Sequence, residues 1–159
     1  MNCLDSQQIC SPKIVFLICF VTIILCSIFT TPPMMIATFN FCLLLLGFSF
    51  RHRSKSVHAS LMTLGILSDI SLVLLLQIQR NAVQTAVAFR LSPLNQAHVI
   101  CSTLATLLYF PVLFYGWKLY QNTSARGNTR LIHKRLGLAA LFFRTLGFLL
   151  MFSMLKPNQ

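Results

Sequence analysis

Residues His58–Ile78 read HASLMTLGILSDISLVLLLQI, an apolar stretch with one aspartate, Asp69, at its middle. Its length is close to the roughly 20 residues that an α-helix needs to cross the hydrocarbon of a bilayer. The stretch that begins at His133, HKRLGLAALFFRTLGFLLMFSML, has the same layout, because Arg144 follows His133 by eleven residues, as Asp69 follows His58. An unpaired charge at that depth is costly. The two stretches therefore predict membrane helices whose charges are paired or functional.

The composition is typical of an integral membrane protein. Of 159 residues, 56% are hydrophobic and 9% are charged, whereas soluble domains carry about 25% charged residues. We therefore expect a single integral membrane domain over residues 1–159. The net charge of +11 comes from bases in the short segments between apolar runs. That placement favours a role in membrane topology and contact with anionic lipid over nucleic-acid binding.

Five apolar runs predict the membrane spans. None has the alternation of polar and apolar residues that a membrane β-strand requires. The expected fold class is all-α, a multi-pass transmembrane helical bundle of about five spans. The first two runs, joined through Thr31-Pro32-Pro33, should form a hairpin beside a core of three to four helices. The runs cover residues 14–30, 34–50, 58–78, 98–117 and 136–155.

The distribution of lysine and arginine predicts the orientation, because cytoplasmic loops are rich in these residues. With five spans, nine bases fall on one side and three on the other, which places the N-terminus in the cytoplasm and the C-terminus outside. The first run resembles a signal peptide, but its end, Thr30-Thr31-Pro32-Pro33, is not a small-x-small cleavage site. We expect the first run to be retained. The nine bases are Lys13, Arg51, Arg53, Lys55, Lys118, Arg126, Arg130, Lys134 and Arg135.

The two mid-membrane charges are predicted to lie at one depth. Eleven residues are about three helical turns, so Asp69 and Arg144 should each lie on the face of the preceding histidine, roughly 16 Å along the helix. Asn40, eleven residues before Arg51 in an antiparallel span, should reach a similar depth. We predict an intramembrane ion pair of Asp69 and Arg144, assisted by Asn40, that fixes helix register. The alternative is a path for protons or electrons lined by these groups.

His58 and His133 are candidate haem ligands. Each opens one of two parallel spans, and two neutral imidazoles on facing helices can bind haem iron on both axial sides. Nearby bases such as Arg53, Lys134 and Arg135 could pair with the haem propionates. The alternative is that each is an ordinary interfacial histidine at the headgroups. His98, on the opposite side of the membrane, should not join that site.

The motifs of soluble enzymes and of structural metal sites are missing from the sequence. There is no P-loop, GxGxxG, GxSxG or HExxH motif, and Asp5 and Asp69 are the only acidic residues. The six cysteines include no CxxC and are expected to be small packing residues. We therefore expect neither an independent enzyme nor a protein metal centre.

Three segments carry a resemblance to a family. They are FNFCLLLLGFSFRHRSKSVHASLM (Phe39–Met62), HVICSTLATLLYFPVLFYGWKLY (His98–Tyr120) and HKRLGLAALFFRTLGFLLM (His133–Met151). They resemble a family of small bacterial membrane proteins, known mainly as a domain of unknown function, that includes YozB/CtaM-like accessory factors for haem-copper oxidase maturation. The placement of histidines at helix ends is also similar, more weakly, to b-type cytochromes of the cytochrome b561 group.

The resemblance implies a bacterial inner (plasma) membrane protein with an accessory, assembly or subunit role in a respiratory-type complex. The two histidines leave two alternatives for the cofactor, haem b or none. Two alternatives stay open: a purely structural small subunit that packs against a larger membrane complex without a cofactor, and a membrane electron-transfer cytochrome. A transporter is disfavoured because the sequence lacks paired inverted repeats and glycine-broken half-helices. The expected partners are the lipid bilayer and other membrane subunits.

Overall fold

The computed structural model describes residues 12–29, 31–80, 92–121 and 127–152. The described residues form five α-helices and one short 3-10 turn, with no β-strand among them, so the all-α class is confirmed. The helices are α1 (Pro12–Phe29), α2 (Pro32–Ser49), α3 (Lys55–Arg80), α4 (Pro93–Gln121) and α5 (Asn128–Met151), and the 3-10 turn Phe50–His52 follows α2.

Proline and serine residues set where several helices begin. Pro12, Pro32 and Pro93 are the first residues of α1, α2 and α4, where a missing backbone N–H costs nothing and the fixed φ suits the helix. Ser54 and Ser92 precede α3 and α4, and their Oγ atoms accept hydrogen bonds from backbone N–H groups of the first turns, at 3.4 and 3.5 Å. Because of Ser92 and Pro93, α4 begins before residue 98, where the fourth apolar run begins.

Three segments of the described chain are long and apolar enough to cross a membrane: Pro32–His52, Lys55–Ile78 and Pro93–Gln121. The part of α1 whose side chains are described, Pro12–Ile24, is apolar but shorter. Large apolar side chains lie on the outside of these helices, including Ile78, Phe114 and Trp117. Such exposed apolar surface is far more than a water-soluble monomer tolerates, which agrees with a lipid environment.

The chain divides into two compact units, Met1–Leu67 and Ser68–Gln159, so α3 contributes to both. In the first unit, Cys19 of α1 and Cys42 of α2 lie side by side, each thiol 3.8–3.9 Å from the backbone carbonyl of the other residue. Helix α2 packs on the first half of α3, where Leu44 lies against Gly65. The prediction of a single domain stays a prediction.

The second unit contains the rest of α3 together with α4 and α5. Small residues let α4 and α5 approach closely: Ala105 and Ala140 are buried, and Gly147 lies against Ser102. Such contacts are typical of membrane helices, which have little hydrophobic force between them and rely on close packing. Close packing here brings the polar side chains of all three helices within hydrogen-bonding distance.

Candidate functional site

Asp69, Tyr109 and Arg144 form a buried polar cluster in the second unit. The Nη2 of Arg144 donates to Oδ1 of Asp69 at 2.5 Å, and the hydroxyl of Tyr109 donates to Oδ2 of Asp69 at 2.9 Å. Asp69, Tyr109 and Arg144 are 1%, 2% and 5% exposed. One residue comes from each of α3, α4 and α5, so the cluster joins all three helices of the unit.

The opposite charges of Asp69 and Arg144 compensate each other within the cluster. A buried charge is strongly destabilising when alone and is tolerated when an opposite charge and hydrogen bonds satisfy it. Asp69 has both, since an ionised guanidinium and a phenolic O–H engage its two oxygens. The Nε of Arg144 is buried and has no hydrogen-bond partner within the described residues. The arrangement therefore fixes helix positions, and it offers no exposed reactive group.

Two other polar residues, Asn40 and Thr106, lie in the apolar runs of α2 and α4. Asn40 is completely buried, but it belongs to the first unit, so its assistance to the ion pair stays a prediction. Thr106 lies on α4, and its hydroxyl donates to the carbonyl of Ser102 one turn earlier, at 2.9 Å. A threonine hydroxyl in apolar surroundings often donates its hydrogen bond to a backbone carbonyl of its own helix.

Three histidines share one structural feature, a ring Nδ1 that meets a backbone carbonyl of a neighbouring helix. His58 meets the carbonyl of Gly47 at 2.6 Å, His98 that of Gly147 at 2.6 Å, and His133 that of Val112 at 3.2 Å. A carbonyl oxygen can only accept a hydrogen bond, so the proton must lie on Nδ1. In the neutral ring, Nε2 then carries the lone pair that a metal requires.

His58 and His133 each precede the same pattern of buried residues. His58 is followed by Gly65 after seven residues and Asp69 after eleven, and His133 is followed by Ala140 and Arg144 at the same spacings. All four following residues are buried. The pattern places a hydrogen-bonded histidine, a small packing residue and a buried charge along one face of α3 and of α5, since seven and eleven residues are about two and three turns.

A glycine makes room for one of these rings, that of His133. A Cβ on Gly116 would lie only 3.2 Å from Cε1 of His133, so the ring of His133 packs directly on the glycine backbone of α4. His58 and His98 take their carbonyl partners from Gly47 and Gly147. Each histidine is thus held in a fixed orientation against a neighbouring helix.

The structure brings together some of the sequence-predicted residues. It pairs Asp69 with Arg144 within the second unit, whereas His58 belongs to the first unit and His133 to the second, so their joint site stays a prediction. Tyr109 and the carbonyl partners of the histidines were missed by the sequence reasoning. Tyr109 does lie in the apolar run 98–117, where a phenol requires a hydrogen-bond partner, and that requirement is the signal that could have indicated it.

Within the described residues, no group of three or more His, Cys, Asp or Glu side chains could hold a metal ion. Searches against protein-family models, curated proteins and solved structures found no match to this chain.

Proposed function

We propose that this chain is a small multi-pass integral membrane protein that binds one b-type haem near the cytoplasmic face through His58 and His133. In this proposal it serves as an accessory or assembly factor, or as a subunit, of a respiratory-type membrane complex. The observation that carries the proposal is the orientation of the two imidazoles. Each has its Nδ1–H engaged by a backbone carbonyl, the tautomer in which Nε2 carries the lone pair that iron binds.

The donor chemistry fits haem. Histidines that bind metals almost always donate the other ring N–H to a carbonyl, a carboxylate or water, which fixes the tautomer and raises the basicity of the ligating nitrogen. His58 and His133 both have this second interaction, to the carbonyls of Gly47 and Val112. Bound between two imidazoles, haem would supply one-electron transfer. Arg53, Lys134 and Arg135 are exposed near the two histidines in sequence and would receive the propionates.

The pairing of Asp69 with Arg144 supports the alignment of the two histidines. Each histidine precedes its charge by eleven residues on one helix, and α3 and α5 are continuous over these segments. Asp69 and Arg144 are paired. If α3 and α5 run parallel, as we propose, His58 and His133 would lie at a common level about three helical turns from that pair. The ion pair would therefore act as a positioning element for a haem site.

The membrane topology is part of the same proposal. We propose five spans, with the N-terminus in the cytoplasm and the C-terminus outside, in a bacterial inner membrane. Three described helices support this by length and composition. The basic residues at the start of α5 support a cytoplasmic location for that end.

Absorption spectroscopy of the purified protein tests the haem proposal. Protein produced with ample haem should have the Soret and α bands of a six-coordinate b-type haem, and His58→Ala or His133→Ala should each abolish or shift them. His98→Ala is the matched control, because His98 has the same hydrogen bond to a glycine carbonyl. The proposal is wrong if the protein is colourless after haem reconstitution, or if His98→Ala removes the bands as His133→Ala does.

One observation favours a second candidate, a structural subunit without a cofactor. Aromatic side chains project outward from α4 and α5, and Phe110, Phe114, Trp117 and Phe142 are 59–67% exposed. Such residues can pack against helices of a larger complex as well as against lipid. Isolation from native membranes in a mild detergent distinguishes the two candidates. A stoichiometric partner together with a colourless protein would favour the structural subunit.

A further inference from the structure

Arg51 is held in place at the end of α2 by two contacts. Its guanidinium carbon lies 3.8 Å from the centre of the Phe48 ring, a cation–π contact. Its Nε donates to Nε2 of His52 at 3.0 Å. An arginine fixed in this way loses less conformational freedom when it binds a ligand. The two Nη groups remain as a planar pair of donors.

The surroundings of Arg51 are strongly basic and face outward. Arg51, His52, Arg53 and Lys55 are all exposed. Because Nε2 of His52 accepts the bond from Arg51, the proton of its neutral ring lies on Nδ1, which adds another outward donor. Within the described residues the one acidic side chain is Asp69, and its carboxylate is engaged by Arg144.

We propose that Arg51, stacked on Phe48 and flanked by Arg53 and Lys55, binds the phosphate group of an anionic phospholipid. The inference rests only on the membrane insertion in the proposed function and not on haem. Phosphate suits this site because an arginine fork can bind two of its oxygens at once. Phe48 lies near the end of the apolar segment 34–50 and Arg51 follows that segment directly, so Arg51 stands where the headgroups of a bilayer begin.

The lipid could be replaced by free phosphate, since both present the same oxygens. A lipid is favoured because the ring beneath Arg51 is half-buried and belongs to an apolar helix long enough to span a membrane. The acyl chains of a lipid would cover apolar surface of α2 while its phosphate contacted the arginine. Inorganic phosphate would gain only the polar contacts.

Thermal unfolding in neutral detergent micelles tests the proposal. The protein is titrated with phosphatidylglycerol, with phosphatidylcholine and with inorganic phosphate, and the midpoint of the rise in Tm is measured. Phosphatidylglycerol should raise Tm in a saturable way. Arg51→Gln should move the midpoint about tenfold higher, as expected from the loss of a charged hydrogen-bonding group. Arg51→Lys and Phe48→Leu should each weaken binding, because they remove the planar fork and the supporting ring.

Arg130→Gln is the matched control, since it removes an exposed arginine at the start of α5. It should leave the midpoint unchanged. The proposal is overturned if Arg130→Gln weakens binding as much as Arg51→Gln, or if phosphatidylcholine is as effective as phosphatidylglycerol. A saturable shift with inorganic phosphate at the same concentrations would overturn the assignment to lipid.

The test of phospholipid binding can succeed or fail independently of the test of haem binding. Alkaline carbonate extraction of membranes that contain the protein establishes its insertion independently of any ligand. A lipid effect lost only in the Arg51 and Phe48 variants, with the haem spectrum unchanged, would support this inference by itself. A colourless protein that still binds phosphatidylglycerol through Arg51 would refute the haem site and leave this inference standing.

Discussion

The carboxylate of Asp69 has two donors of different kinds, a guanidinium and a phenol. Removing the carboxylate would leave the charge of Arg144 buried without compensation. We expect Asp69→Leu to destabilise the protein by about 3–5 kcal/mol, the usual cost of breaking a buried ion pair from one side. Reversible unfolding in mixed micelles measures this change.

The double variant Asp69→Leu/Arg144→Leu provides the control for that expectation. It removes both charges, so it should recover part of the lost stability, because an apolar replacement of a buried pair is often tolerated. The coupling free energy follows from the cycle of single and double variants. A double variant no more stable than the worse single variant would mean that the two side chains do not stabilise each other.

Tyr109 contributes a hydrogen bond to a charged group, and its loss should be measurable. We expect Tyr109→Phe to cost about 1.5–3 kcal/mol, because Oδ2 of Asp69 would lose its phenolic donor in a buried place. Tyr115→Phe, on the same helix but only half-buried, should change stability by less than about 0.5 kcal/mol. Equal effects of the two variants would show that the hydroxyl of Tyr109 is not engaged as described.

The sequence could indicate the ion pair but not which group Tyr109 would bind, for a physical reason. Asp69 and Arg144 stand out because charges are rare in apolar runs, and eleven-residue spacing from a histidine gives them a common depth. A tyrosine in such a run has no fixed role until a neighbouring helix supplies its partner. The same holds for the carbonyls of Gly47, Gly147 and Val112, since backbone groups leave no trace in a sequence.

At the scale of the helices, the apolar runs predicted the middle of each helix better than its ends. Helix α5 begins at Asn128, whereas the fifth run begins at residue 136, because backbone hydrogen bonds continue into polar flanking residues that hydropathy does not count. Helix α4 likewise begins at Pro93, ahead of the fourth run at residue 98. The spacing of Val83, Val87 and Leu91 predicts a short interfacial helix that Ser92-Pro93 would end, and these three apolar residues lie outside the described residues.

Two glycines test how tightly the helices pack. A Cβ on Gly47 would lie 2.9 Å from Sδ of Met62 and 3.2 Å from Cβ of Leu61, whereas a Cβ on Gly137 would meet nothing within 4 Å. We expect Gly47→Ala to destabilise by about 1–3 kcal/mol through overpacking of α2 against α3. Gly137→Ala should stabilise by about 0.5–1 kcal/mol, since alanine favours the helix. Chemical denaturation of both variants checks the opposite signs.

For the whole molecule, the described helices alone do not specify an orientation, because the same helices could be inserted either way. The segments 51–55 and 118–135 carry eight of the thirteen Lys and Arg residues, and bases resist translocation across a membrane. Orientation is therefore a property of these basic segments, which include helix ends, and the bases of segment 51–55 also supply the phosphate site proposed at Arg51.

Reporter fusions in a bacterial host check the orientation. Alkaline phosphatase, which is active only outside, should be active when fused after Gln159 and inactive when fused after Arg53. Replacing Arg51, Arg53 and Lys55 by glutamine should weaken the preference for one orientation, because three of the nine predicted cytoplasmic bases would be lost. The fusions should then give mixed alkaline phosphatase activity. An active fusion after Arg53 in the unaltered chain would mean that this turn faces outward. The haem proposed at His58 and the anionic lipid proposed at Arg51 would then both have to be reassigned to the outer face.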